Sequence, residues 1–128
     1  MSGAHIVHAI LASDSTVTGL VGDRIFYTIA PQEAALPHVV ILKGGLTEEI
    51  MLGGASGYPS ERITLACHGA DFAASETLGD AVIAATHDKQ GTFAGKEATV
   101  WRDDVEATDY LPANRTQRRL VGVNIRWR

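Results

Sequence analysis

The chain has one cysteine in 128 residues, an aromatic content of 6% and only 11 lysines and arginines. With Cys67 alone no intramolecular disulfide can form, so the fold must rest on its core. No apolar run approaches the roughly 20 residues needed to cross a bilayer. No N-terminal stretch joins a basic start to an apolar segment and a small-residue cleavage site. The expectation is a protein made and folded in a reducing cytoplasm, with no membrane partner. The basic residues are outnumbered by 15 acidic ones, for a net charge of −4. That balance argues against a dedicated nucleic-acid binder, which needs clustered Lys and Arg to neutralise phosphates.

What the chain does have is a 45% apolar content, enough for one core. Its length fits a single domain over residues 1–128. Residues 4–12 predict a helix whose stripe is Ile6, Val7, Ile10 and Leu11. Ser13 or Asp14 caps a second short helix that ends at Gly22. Residues 24–29 and 38–43 predict strands, the second apolar, β-branched and covered on both faces. Between them, Pro31 and Pro37 impose extended geometry on the residues before them. Residues 61–68 alternate, with Ile63, Leu65 and Cys67 on one face and Arg62, Thr64 and Ala66 on the other. Asp71 caps a helix running to about residue 87, with Ala74, Leu78, Ala81, Val82 and Ala85 facing a sheet. Gly91 and Gly95 bracket a turn, and residues 98–109 and 117–128 form the last two strands. Strands and helices are segregated, which predicts an α+β fold: a mostly antiparallel sheet with helices packed on one face.

The segment from Gly44 to Pro59 carries five glycines, yet holds Ile50, Met51 and Leu52 in its middle. A solvated loop has little reason for three large apolar residues. It is either a long hairpin whose tip bends over or a segment that docks on something.

Candidate chemistry is sparse. His5 and His8 share a helix face, but no third ligand stands nearby in sequence, so no metal site is assigned. Cys67 and His68 are neighbours on a strand and point to opposite faces, so they cannot work as a nucleophile–base pair. "GTFAGKE" (residues 91–97) has the wrong spacing for a phosphate loop, and Glu97 stands where Ser or Thr should bind magnesium. "GGASG" (53–57) lacks lysine, and the Asn114 sequon has no secretory context. Glu48 and Glu49 read as a solvated turn. Tyr58, Trp101 and Trp127 read as core or edge packing. No catalytic residue and no cofactor is assigned.

Charge is uneven along the chain. Residues 1–101 have a balance of −6 and residues 102–128 one of +2. In the last strand pair Asp103, Asp104, Glu106 and Asp109 precede Arg115, Arg118, Arg119, Arg126 and Arg128. Two readings stay open: acids and arginines satisfy each other across the hairpin, or some arginines face acids on a neighbouring subunit.

"ILASDSTVTGLVGDRIFYTIAPQEAALPHVVI" (residues 10–41) resembles the siphophage tail-completion, or tail-terminator, family, also found in prophages and gene-transfer-agent clusters. The likeness lies in the order of a helix, Leu20-Val21-Gly22-Asp23-Arg24-Ile25, Ala30-Pro31-Gln32 and Leu36-Pro37-His38-Val39-Val40. "RITLACHGADFAASETLGDAVIAA" and the closing "RRLVGVNIRWR" extend it over nearly the whole chain; residues 44–57 depart from the pattern. The resemblance implies a virion structural protein, not an enzyme. It would cap the tail tube as a hexameric ring, end tail growth and offer a surface for head–tail joining. Its partners would be other copies of itself, the tail tube protein and a head-side connector protein, with DNA only as passing cargo. It would be assembled in the host cytoplasm and reside in the virion tail. The alternatives are a neck, head-completion or minor tail protein, and, from another class, a small enzyme using Cys67 or a histidine.

On that reading Ala30, Pro31, Gln32 and Leu36 form a contact arm stiffened by proline. Ile50, Met51 and Leu52 form a second contact segment. One faces a neighbouring subunit and the other the tube. Arg115, Arg118 and Arg119 are further interface candidates, and Glu48 and Glu49 would face the channel. The competing reading is that the arm only covers the end of its own sheet.

Overall fold

A computed structural model describes residues 3–31, 33–47, 50–51, 54–55, 60–111 and 116–128, with side chains described outside 44–55, 103–106 and 109–111. The first two helices are α1 (Gly3–Ser13) and α2 (Ser15–Val21). Asp14 caps α2 by accepting from the Thr16 and Val17 amides at 3.0 Å each. Gly22 ends it with φ of 61°, a left-handed value that glycine adopts without steric cost. Strands β1 (Ile25–Tyr27) and β2 (His38–Thr47) follow. A two-stranded ribbon, β3 (Ile50–Met51) and β4 (Gly54–Ala55), carries the chain to β5 (Ser60–Gly69). Helix α3 (Phe72–Thr86) starts at Asp71, whose carboxylate accepts from the Ala74 amide at 2.7 Å. Strands β6 (Lys89–Phe93), β7 (Lys96–Leu111) and β8 (Thr116–Trp127) complete the chain.

The main sheet has six strands in the order β1-β2-β5-β8-β7-β6. All neighbours are antiparallel except β1 and β2, which run parallel. The helices cover one face. Ile6, Ile10, Leu11, Val17, Leu78 and Val82 pack there against Val39, Ile41, Ile63, Leu65, Val121, Val123 and Ile125. The α+β expectation, with helices on one face of a mostly antiparallel sheet, is the architecture observed.

Three expectations change. The strand expected over 24–29 stops at Tyr27, because Thr28 turns at φ of 64° and the next amide, that of Ile29, bends back to the Tyr27 carbonyl at 2.6 Å. Strand β6 was not anticipated. "KQGTF" is polar, mostly exposed and interrupted by glycine, as suits an edge strand that must not recruit a neighbour. The turn assigned between Gly91 and Gly95 is a two-residue hairpin at Ala94 and Gly95, both with positive φ, while Gly91 lies inside β6.

Register shifts bend two strands. Two residues of β2, Gly44 and Gly45, stand opposite Arg62 alone. Three residues of β7, 103–105, stand opposite Gly122. Glu61 lies buried against the first turn of α1, where the positive end of the helix dipole favours a carboxylate, and Lys43 Nζ approaches it at 3.6 Å.

Candidate functional site

The connection between β1 and β2 follows from their pairing. Parallel neighbours cannot be joined by a tight hairpin, so the chain must cross back to its starting end. Because β1 has only three residues, residues 28–37 suffice, and they cross over the sheet face that the helices leave open. Arg24 anchors the return, its Nε donating to the Pro37 carbonyl at 3.0 Å. The Ala34 amide donates to the Pro31 carbonyl at 3.0 Å and closes a turn within the arm.

Arm and sheet enclose a half-open cavity of about 510 Å³. Its arm side is Thr28, Ile29, Ala30, Pro31, Ala34 and Leu36. Its floor is built from cross-strand rungs. His38, His68 and Arg118 stand opposite one another on β2, β5 and β8, and Val40 and Ala66 lie on the next rung. The His38 and His68 rings stack at 4.5 Å, and Phe26 meets His38 edge-on at 5.7 Å. The His38 Nδ1 lies 3.1 Å from the Ala35 carbonyl, which can only accept, so Nδ1 carries the proton. Burial lowers the His38 pKa; the bond to Ala35 opposes this and the Arg24 charge adds to it. Thr116 closes the polar end. Its hydroxyl oxygen is buried and makes no hydrogen bond among the described residues.

Of the residues singled out in the sequence, Ala30, Pro31, Leu36 and Arg118 converge on this cavity. Gln32, Leu52 and Arg115 lie outside the described residues, as do Glu48 and Glu49. Ile50 and Met51 form β3, beyond the far end of β2 and β5. Arg119, also an interface candidate from the sequence, lies on the other face from Arg118. It faces the helices, is 6% exposed, and donates from Nη1 to Asp80 Oδ1 at 2.8 Å and to the Glu76 carbonyl at 3.1 Å. Its charge is met within the protomer. Among the described pairs of β7 and β8, Asp109 stands opposite Arg118 as unlike charges, and just past the last pair the Arg128 amide donates to the Glu97 carbonyl at 2.9 Å; Glu106 faces Val121, and 103–104 fall in the bulge.

The two sides of the arm differ. Its inner side helps bury His38, Val40, Ala66 and His68, while Ile29 remains 78% exposed and Pro31 exposed. The sequence reading missed Thr116 and the two stacked histidines. An even spacing along three strands signals a shared face, but which strands are neighbours is not local information. His5 and His8 pack on the Tyr27 ring at 5.5 and 5.1 Å, and no cluster of three metal-ligating side chains occurs among the described residues. Burial raises the Tyr27 pKa. Cys67 is buried on the helix face, away from His68 on the open face.

The open sheet face is thus part-covered by an arm whose outer side carries exposed residues. The chain belongs to the family Tail completion protein gp17, whose model matches residues 6–128. It is a structural protein of the phage tail and a component of the virion; the family is not a class of enzymes. Its fold matches a chain from the virion of native gene transfer agent (GTA) particle, with a TM-score of 0.80 over 97% of this chain and 92% of the other, at 16% identity. No curated protein matches the sequence. No helix among the described residues is long and apolar enough to cross a membrane.

Proposed function

We propose that this chain caps the finished tail tube as a hexameric ring, ending tail growth and presenting the surface to which the head-side connector binds. The family match across residues 6–128 carries this reading. The protomer is suited to it because its two ends differ: the proline arm and its cavity lie at one end of β2 and β5, the β3–β4 ribbon at the other. Unlike ends make heterologous contacts, and heterologous contacts close into rings when the rotation permits. The arm residues Ala30–Leu36, the ribbon residues Ile50 and Met51, and Arg118 are the contact elements. One face of the ring meets the tail tube protein and the other the connector. A net charge of −4 lets DNA pass without being held by its phosphates.

Deleting the gene and measuring tails by electron microscopy tests the proposal. The expected result is tubes of uncontrolled length. Tails of normal length that fail to join heads would overturn it in favour of a neck role.

A further inference from the structure

Among the described residues four large apolar side chains are exposed: Tyr27, Ile29, Phe72 and Trp101. Ile29 belongs to the arm, Tyr27 packs on the His5 and His8 rings, and Trp101 sits within β7. Phe72 differs from these. It is 56% exposed at the corner where β5 gives way to α3, and Ala70, Asp71 and Ala73 are exposed beside it. The corner is fixed from within. Asp71 Oδ1 accepts from the Ala74 amide at 2.7 Å, and Ser75 Oγ donates to the Phe72 carbonyl at 2.9 Å. An aromatic ring beside a carboxylate is thus presented on a backbone with little freedom left to lose on binding.

The arm cavity has the converse character. It is apolar at Ile29, Leu36 and Val40, and Arg118 brings a positive charge to its lining. Arg118 stands opposite Asp109 on β7, but a guanidinium has five N–H donors and can serve a second carboxylate. An apolar cavity of about 150 Å³ takes a benzene ring. At about 510 Å³ the arm cavity has room for a benzyl side chain and the residue beside it. The corner follows β5 at the His68 end, yet α3 packs on the covered face and the cavity lies on the open one. Neither Asp71 nor Phe72 lines the cavity of its own protomer.

We propose that the Asp71–Phe72 corner of one copy seats in the arm cavity of the next, with Phe72 against Ile29, Leu36 and Val40 and the Asp71 carboxylate on the Arg118 guanidinium. Unlike charges at one side of an apolar contact set its orientation. A corner on the helix side and a cavity on the open side are different patches. The contact is therefore heterologous and repeats from copy to copy around a ring. This joint rests on the ring reading above and supplies the occupant of the arm.

The test is to assemble tails with the full-length Phe72→p-benzoylphenylalanine variant and irradiate them. Mass spectrometry should join residue 72 of one copy to residues 28–42 of another, and gels should show linked products larger than a dimer. Images of the tail end report the ring separately. A ring without these links overturns the joint and leaves the ring reading intact; tails of the natural protein without a ring overturn the ring reading and the joint with it. Links from residue 72 to the tube protein overturn the choice of occupant, and linked pairs that never extend past a dimer overturn the repeating contact. If the photocrosslinking variant does not fold or assemble, two others decide, each checked by circular dichroism to be folded. Phe72→Ala should raise the protein concentration that caps half the tails by roughly tenfold. Asp71→Asn keeps the capping oxygen but loses the charge, and should raise it by about threefold. An unchanged concentration for either variant overturns the joint.

Discussion

Gly79 sits inside α3, and replacing it with alanine sets two effects against each other. By helix propensity alone, Gly79→Ala stabilises by about 1 kcal/mol. The added Cβ, however, would stand 2.5 Å from Arg119 Cδ and 2.8 Å from its Nη1. Carbon contacts settle near 3.5–4.0 Å, so the guanidinium must shift by about 1 Å. That shift breaks the bonds to Asp80 at 2.8 Å and to the Glu76 carbonyl at 3.1 Å. Hydrogen bonds to charged groups contribute about 1.5–3 kcal/mol each. The Asp80 side chain is 73% exposed, so its share falls toward the values of about 0–1 kcal/mol seen for surface pairs. The combined loss is about 2–3 kcal/mol, and the net effect a destabilisation of about 1–2 kcal/mol. Unfolding entropy near 2 cal/mol/K per residue converts each kcal/mol to roughly 4 °C at this length. Thermal melts followed by circular dichroism should show Tm lower by roughly 4–8 °C. Gly19→Ala, in a helix where nothing lies within 4 Å of the new Cβ, should instead raise Tm. In an Arg119→Ala background, which removes Cδ and the guanidinium alike, Gly79→Ala should also be stabilising. A rise in Tm for Gly79→Ala alone would refute the clamp.

Asp14→Ala removes the acceptor for two amides at the start of α2 and should cost about 1 kcal/mol, read as a lower urea midpoint at unchanged slope. Thr116→Val replaces an unpaired buried hydroxyl with a methyl of similar shape. The free protein should gain about 1 kcal/mol, and a loss of that size would show that the hydroxyl is bonded within the protomer. His38 should make stability depend on pH. Its folded pKa lies below the unfolded value near 6.5, so its contribution is complete above that pH and is lost as pH falls from about 6.5 through the folded value. The urea midpoint should drop between pH 7.5 and 5.5, and the drop should shrink in His38→Phe; an equal drop in both would refute this.

The sequence by itself determined the local elements. Asp14, Gly22 and Asp71 mark helix ends because capping is settled within four residues. The alternation over 61–68 assigned Cys67 to one face and Ala66 to the other because strand geometry has a period of two. Prolines 31 and 37 marked an arm because each restrains its own neighbourhood. Only the tertiary structure decided what these elements meet. The parallel pairing of β1 with β2, which puts the arm over the open face, depends on which edge of β2 is vacant. Arg119 reads like Arg118 in the sequence, yet one lies under α3 and the other lines the cavity, because a strand's inward face is defined by the helices that cover it. Strand β6 stayed hidden because an edge strand gains its hydrogen bonds from a neighbour while its side chains stay in water. Thr116 came to line the cavity only when the strands and the arm enclosed it.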